Sequence, residues 1–133
     1  MKLSRILETA LYVPNLDEAE AFYTKLLERE PYHRESGRHV FFKLDEAMLL
    51  LFNPEATSGD NQGIPPHGTH GHGHVCFQIE EDQTEAWKSR LAELGIPIEV
   101  EHTWPNGAKS LYFRDPAGNS IELAPWRIWN RYG

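Results

Sequence analysis

Apolar and polar residues alternate along residues 6–13, ILETALYV, as they do in a half-buried strand. The face predicted to be buried carries Leu7, Leu11 and Val13. The other face carries Glu8, Ala10 and Tyr12, and it points away from whatever covers the apolar side.

The next segment, NLDEAEAFYTKLLE, repeats apolar residues at helical spacing. Asn15 is its predicted N-cap, with Glu18 at the capping-box position, so the pattern predicts a helix near residues 15–28. Alternating and β-branched or aromatic stretches then predict three strands. These strands lie near residues 31–34, at HVFFKL and at AMLLLF.

The same order returns from residue 74 onwards. HVCFQI alternates like a strand, and residues 82–94 have helical periodicity, with Asp82 as the predicted cap and Gly95 as the stop. Three further strands are predicted at about 97–103, 109–114 and 119–124. Aligning the two halves puts Glu8 on His74 and Leu50 on Glu122.

Between the halves, residues rich in Gly, Pro and polar side chains lack any apolar period, which predicts a linker. The predicted organisation is one domain over residues 1–133. It consists of module 1 at about 1–53, a linker at about 54–71, module 2 at about 72–125 and a C-terminal tail at 126–133.

Composition narrows the range of partners. The formal net charge of −7 argues against nucleic acid or an anionic membrane surface, both of which need a basic face. No stretch is apolar enough to predict a membrane span or a secretion signal, and the single cysteine, Cys76, cannot form an internal disulfide. We therefore expect a cytoplasmic protein whose partner is a small molecule.

The repeated βαβββ order, the segment VPNLDEAEAFY and the terminal LYFRDPAGNSIEL resemble the vicinal oxygen chelate superfamily. Its members include glyoxalase I, the fosfomycin-resistance proteins, the extradiol dioxygenases and the bleomycin-resistance proteins. The resemblance implies an α+β fold of two tandem βαβββ modules, which form curved mixed sheets around a cavity. In many relatives that cavity is completed across a homodimer, so we expect a homodimer here.

Strand parity and repeat symmetry bring four positions together: Glu8, Leu50, His74 and Glu122. Proteins resembling glyoxalase I carry His or Glu at all four, and the fosfomycin-resistance and dioxygenase types use three. The resemblance thus implies that Glu8, His74 and Glu122 bind a divalent ion, namely Mn, Fe, Co, Ni or Zn. Leu50 departs from the pattern, because it replaces a carboxylate that can also transfer a proton in glyoxalase I. This departure speaks against glyoxalase I activity itself.

Two alternatives compete with this site. Glu8 and Glu122 could be ordinary solvated carboxylates, with Glu122 paired to Lys43 or Arg114. The segment GTHGHGHV could instead hold an ion through His72 and His74, helped by the histidines at 67 and 70, or it could be a mobile polar loop.

Aromatic and polar residues on the inner parity predict a substrate pocket. The predicted lining is Tyr12, Phe41, Leu50, Phe52, Gln78, Trp104, Tyr112 and Arg114. Trp87 is predicted to be core, Cys76 to be a buried inert thiol, and the two tryptophans of the tail PWRIWNRYG to pack over a module edge or a dimer partner.

Two functions remain open at this point. The retained ligand set favours a metal-dependent enzyme that acts on a small oxygen-rich molecule by lyase, isomerase, epoxide-opening or oxygenase chemistry. The Leu50 replacement and the aromatic pocket leave room for a binding protein that sequesters an antibiotic-like ligand without chemistry.

Overall fold

A computed structural model describes residues 1–59 and 63–132 of the chain. The chain divides into two compact units, Met1–Gly73 and His74–Gly133. Each unit contains a four-stranded mixed sheet, and in each the strand, helix, three-strand order is confirmed.

Unit 1 carries the first sheet, whose strand order is β1-β4-β3-β2. β1 runs parallel to β4, and β3 runs antiparallel to both β4 and β2. Its elements are β1 (Glu8–Tyr12), α1 (Leu16–Leu27), β2 (His33–Glu35), β3 (His39–Lys43) and β4 (Met48–Phe52).

The helix α1 begins where the sequence predicts. The side chain of Asn15 accepts a hydrogen bond from the backbone N–H of Glu18 at 3.1 Å, which satisfies one of the free amides of the first turn. A buried stripe of Ala19, Tyr23 and Leu26 faces the sheet. Burial of each large apolar side chain in such a stripe contributes about 1.5–3 kcal/mol, so this stripe attaches the helix to the sheet.

Unit 2 repeats the topology with strand order β5-β8-β7-β6. β5 runs parallel to β8, and β7 runs antiparallel to both β8 and β6. Its elements are β5 (His74–Gln78), α3 (Thr84–Glu93), β6 (Val100–Thr103), β7 (Lys109–Arg114) and β8 (Ser120–Ala124).

The strand registers confirm the alignment of the two halves. In unit 1, Ala10 of β1 pairs with Leu50 of β4. In unit 2, Cys76 of β5 pairs with Glu122 of β8. Since Glu8 precedes Ala10 by two residues as His74 precedes Cys76, the pairs Glu8/His74 and Leu50/Glu122 occupy equivalent positions in their units.

The helix of unit 2, α3, begins later than predicted. Asp82 does not cap it but lies in a 3₁₀ turn, Glu81–Gln83, that precedes α3. The capping box is instead formed by Glu80 and Gln83, each side chain bonding to the backbone N–H of the other. Asp82 and Glu85 have the spacing of a capping box, but Glu80 and Gln83, two residues earlier, have the same spacing and make the bonds. Gly95 ends the helix as predicted, in the left-handed region at φ 72°.

The segment predicted as a linker contains a short element of regular structure. It begins with a one-turn helix, α2 (Pro54–Thr57), capped by the side chain of Asn53, which accepts from the backbone N–H of Glu55. Further along, the backbone N–H of His67 donates to the carbonyl of Thr57 at 2.9 Å. Four residues are too few for a helical period to be recognisable.

Two predicted burials are wrong, and the tail tryptophans do not pack over a module edge, so for them packing on a dimer partner stays a prediction. Leu7 lies just before β1 and is 72% exposed, so only Leu11 and Val13 form the buried face of that strand. Trp87 is only partly buried in unit 2. The tail forms a 3₁₀ helix, Trp126–Tyr132, in which Trp126 and Trp129 are 66% and 54% exposed rather than packed over an edge of their unit. Ile128, between them, is buried.

Across the described ranges, no helix has both the length and the apolar character needed to cross a membrane.

Candidate metal centre

The carboxylate of Glu122 lies in the middle of the second sheet, on β8 between β5 and β7. It is only 5% exposed. The hydroxyl of Ser110 donates to its Oε2 at 2.6 Å. Burial, and then the negative charge of Glu122, raise the pKa of the neighbouring Tyr112, so this phenol stays protonated at neutral pH.

His74, the first residue of β5, faces the same carboxylate. Its Nδ1 lies 2.9 Å from the backbone carbonyl of Ser120, which can only accept, so Nδ1 carries a proton. In the neutral ring, Nε2 therefore presents a lone pair, and it lies 3.3 Å from Oε1 of Glu122. A backbone carbonyl that fixes the tautomer in this way is the usual support of a metal-binding histidine.

Two acceptors that face each other at this distance need a proton or a metal ion between them. Two donor atoms each about 2.1 Å from one ion, at an angle of about 100°, lie about 3.2 Å apart, so the observed separation fits a shared ion. Within the described part of unit 2, no lysine or arginine forms an ion pair with Glu122. Arg114, the predicted alternative partner, instead donates to Glu99 at 2.7 Å.

Glu8, the third predicted ligand, opens β1 in unit 1 and is exposed. Neither unit, as far as its residues are described, contains three or more His, Cys, Asp or Glu side chains grouped around one point. Unit 2 brings His74 and Glu122 together, and metal binding by these two residues and Glu8 stays a prediction.

The histidine-rich segment does not form a cluster in the described residues. His70 makes an exposed ion pair with Glu55 at 3.0 Å. His67 accepts from or donates to the hydroxyl of Tyr12 at 2.7 Å. His72 is exposed. These histidines therefore make separate contacts with unit 1 or with solvent.

Cys76 pairs with Glu122 across β5 and β8 and is exposed, whereas the sequence predicted a buried thiol. The predicted inertness has a physical basis nonetheless. Desolvation by the surrounding protein, together with the charge of Glu122, raises the pKa of the thiol to about 12. At neutral pH the side chain is a protonated thiol rather than a nucleophilic thiolate.

A cavity of about 530 Å³ lies on the face of the first sheet. Four predicted pocket residues line it together: Tyr12, Phe41, Leu50 and Phe52. The rings of Phe41 and Phe52 meet edge to face with centroids 5.4 Å apart. The volume is in the range of small-molecule sites, and Glu8 lies in the same wall.

Sequence reasoning missed two polar residues of this cavity, Arg38 and His67. The guanidinium of Arg38 lies 5.5 Å from the centre of the Phe52 ring and donates to Nδ1 of His39 at 2.6 Å. Desolvation, followed by the charge of Arg38, lowers the pKa of His39, which therefore stays neutral and accepts this bond. Arg38 comes just before β3, and the alternation that predicts a strand says nothing about the residue that precedes it. His67 belongs to the linker, which returns to the cavity.

The other predicted pocket residues lie in unit 2. Tyr112 stacks near His74, with ring centroids 6.4 Å apart. Trp104 is partly buried, and its indole N–H donates to Ser110 at 2.9 Å. Gln78 ends β5 and is exposed. Ser110, which sequence reasoning missed, could have been found because it is two residues before Tyr112 on the same face of β7.

Residues 5–123 match the family model described as Glyoxalase/Bleomycin resistance protein/Dioxygenase superfamily. The chain is 31% identical over 115 residues to a metallothiol transferase FosB of Shouchella clausii, covering 84% of this chain and 73% of the relative.

Solved structures agree with this match. A lactoylglutathione lyase from Agrobacterium tumefaciens is 45% identical, with a TM-score of 0.92 and coverage of 96% of this chain and 98% of that one. A fosfomycin-resistance protein, FosX, from Listeria monocytogenes, whose structure holds Mn(II), is 20% identical with a TM-score of 0.71, covering 99% of this chain and 100% of that one; this likeness concerns the fold alone. With a family model that spans most of its length, the chain belongs to the glyoxalase/bleomycin resistance protein/dioxygenase superfamily.

Proposed function

We propose that this chain is a divalent-metal-dependent enzyme acting on a small oxygen-rich molecule, with Glu122, His74 and Glu8 as the metal ligands. One observation carries the proposal. The Nε2 lone pair of His74 and Oε1 of the buried Glu122 face each other at 3.3 Å, with no lysine or arginine of the described unit 2 paired to that carboxylate. Glu8 is added because it occupies the position of unit 1 that His74 occupies in unit 2.

The donor set fits the proposed ion. One imidazole and two carboxylates, with no sulfur, suit Mn²⁺, Fe²⁺, Co²⁺, Ni²⁺ or Zn²⁺. An ion bound there supplies Lewis-acid polarisation of a substrate oxygen. Two similar proteins support an enzymatic role, since one is named a lactoylglutathione lyase and the other a metallothiol transferase.

The cavity of unit 1 is the proposed substrate site. Its aromatic walls exclude water from an apolar part of the substrate, while Arg38 adds a positive charge and Tyr12 a hydroxyl. Burial raises the pKa of Tyr12, so the phenol remains a hydrogen-bond donor at neutral pH. Leu50 offers no carboxylate for proton transfer, so any such step depends on another group.

A second candidate function is sequestration of a ligand without chemistry. The observation that favours it is the apolar lining formed by Leu50, Phe41 and Phe52, which would hold a hydrophobic ligand without a metal.

Titration calorimetry with Mn²⁺ and Zn²⁺ tests the metal site. We expect wild-type protein to bind one ion per chain, and His74→Ala and Glu122→Gln to abolish stoichiometric binding. Glu8→Gln should weaken binding, because a neutral amide oxygen is a poorer ligand than a carboxylate. The matched control is the double variant His70→Ala, His72→Ala, which removes two exposed imidazoles and should keep the wild-type affinity. Loss of the ion in the control together with its retention in His74→Ala would refute the site.

Activity separates the enzyme from the sequestering protein. Metal-loaded protein is assayed for lactoylglutathione formation from its hemithioacetal and for addition of a thiol to fosfomycin. We expect turnover in one assay and its loss after chelation. Stoichiometric ligand binding that persists in the chelated protein, without turnover in either assay, would support sequestration instead.

A further inference from the structure

A chain of hydrogen bonds in unit 2 leads from the turn between β6 and β7 to the buried carboxylate. The indole N–H of Trp104 donates to Oγ of Ser110 at 2.9 Å, and Oγ of Ser110 lies 2.6 Å from Oε2 of Glu122. An indole N–H can only donate, and an ionised carboxylate can only accept. The Ser110 hydroxyl therefore accepts from Trp104 and directs its own hydrogen to Glu122.

Burial makes the bond between Ser110 and Glu122 costly to lose. Ser110 is fully buried, and Glu122 nearly so. A hydroxyl bonded to a carboxylate at this short distance is a charge-assisted hydrogen bond, and losing one inside a protein leaves a polar group without solvent to replace it. Rotation of the carboxylate would break the bond at Oε2. The bond therefore keeps the other oxygen, Oε1, directed at His74.

Trp104, where this chain of hydrogen bonds starts, is also held in place. Trp104 packs against a small buried cluster of Ala108, Ala124 and Ile128. Its backbone N–H donates to the carbonyl of Ala108 at 2.8 Å, which closes the turn. The position of the indole is thus set by backbone and core contacts that do not depend on the carboxylate.

We infer that Ser110 and Trp104 are positioning residues, which orient Glu122 so that Oε1 is free to bind the ion. The inference rests on the metal function proposed above. It assigns Ser110 the role of donor to a ligand atom and assigns Trp104 the role of fixing the direction of that donor. Partners of this kind typically change metal affinity by about 10–100-fold when they are removed.

Mn²⁺ binding by calorimetry is the first test. We expect Ser110→Ala to raise the Kd for Mn²⁺ by about 10–100-fold. Trp104→Phe keeps an aromatic ring but removes the N–H, and it should raise the Kd by a smaller factor. Ser110→Thr keeps the hydroxyl and should retain most of the wild-type affinity.

Thr57→Val is the matched control, since Thr57 carries another fully buried hydroxyl, in unit 1. It should lower the melting temperature of the metal-free protein as Ser110→Ala does, without changing the Kd for Mn²⁺. Unchanged Mn²⁺ affinity in both Ser110→Ala and Trp104→Phe would overturn the inference, as would an equal loss of affinity in Thr57→Val.

A crystal structure of metal-free Ser110→Ala tests the positioning role without metal. We expect the Glu122 carboxylate to rotate away from the orientation in which Oε1 faces His74. If wild-type protein binds no ion, the proposed function fails, and this structure alone decides the positioning role. An unrotated carboxylate in the variant would overturn it.

Discussion

Leu50 in unit 1 and Glu122 in unit 2 occupy the same register position. Each lies on the strand that comes last in the sequence of its unit, and each pairs with the third residue of that unit's first strand. Each is buried in its unit. The duplicated positions thus differ in chemistry while sharing a backbone environment. The polar neighbours that accommodate a carboxylate are found around Glu122, whereas Phe41 and Phe52 surround Leu50.

This difference predicts the effect of Leu50→Glu. A carboxylate at a buried apolar position has a raised pKa in the folded state, so it costs about 1–3 kcal/mol at neutral pH. The unfolded carboxyl titrates near pH 4.3, so the loss should grow as the pH rises above about 4.3 and shrink below it. Urea denaturation at several pH values measures it. Leu50→Gln should lose stability without this pH dependence, and a pH-independent loss in Leu50→Glu would contradict the prediction.

Cys76 should be slow to alkylate. With a thiol pKa of about 12, the thiolate fraction at pH 8 is lower by about 10³-fold than that of an ordinary cysteine with a pKa near 8.5. The rate of reaction with iodoacetamide in chelated protein should therefore keep rising up to pH 10 and beyond. Glu122→Gln removes the neighbouring charge and should speed the reaction at pH 8. A rate that levels off near pH 9 would show that the thiol is unperturbed.

Arg127 should stabilise the turn that carries Trp104. Its guanidinium donates to Glu81 at 2.7 Å and to the carbonyl of Asn106 at 2.6 Å. The side chain of Asn106 donates back to the carbonyl of Arg127 at 2.8 Å. Hydrogen exchange should therefore become several-fold faster at the turn amides in Arg127→Ala.

Arg127→Lys is the matched variant for that experiment. Lysine keeps the charge but cannot bond to Glu81 and to the Asn106 carbonyl in the same fork geometry, so we expect intermediate protection. Wild-type exchange rates in Arg127→Ala would mean that the turn does not depend on these bonds.

We expect the chain to form a homodimer, with the exposed apolar residues at its two termini as part of the contact. These residues are Leu3, Ile6, Leu7, Trp126 and Trp129. Light scattering should give twice the chain mass of 15.3 kDa, and Leu7→Glu should shift the mass towards one chain without loss of fold. The control, Ala86→Glu, places the same charge on an exposed position of α3. A mass of one chain for wild-type protein at micromolar concentration would refute the dimer.

Much of the fold could be predicted because apolar stretches separated by turn signals mark the strands. This pattern predicted a strand at about residues 109–114, which agrees with β7, Lys109–Arg114. It also made the two halves alignable, and the observed registers confirm the equivalence of Leu50 with Glu122.

The rest depends on contacts that leave no period in the sequence. The bond from Trp104 to Ser110 follows from the shape of a turn, where Gly107 adopts a φ of 86°. The contact of His67 with Tyr12 follows from the return of a linker that has no apolar pattern. Leu7 is apolar and in phase with its strand, yet residue type cannot say whether a partner covers it.

The tail has a practical meaning for protein engineering. Ile128 lies in the cluster against which Trp104 packs, and Arg127 bridges to Asn106 in the turn. A deletion that ends the chain at Pro125 would therefore loosen the indole, and with it the hydroxyl that orients Glu122. Residues at the far end of the sequence thus belong to the supporting structure of the candidate ligand, so a shortened version of the protein is unsuitable as a reference for metal affinity.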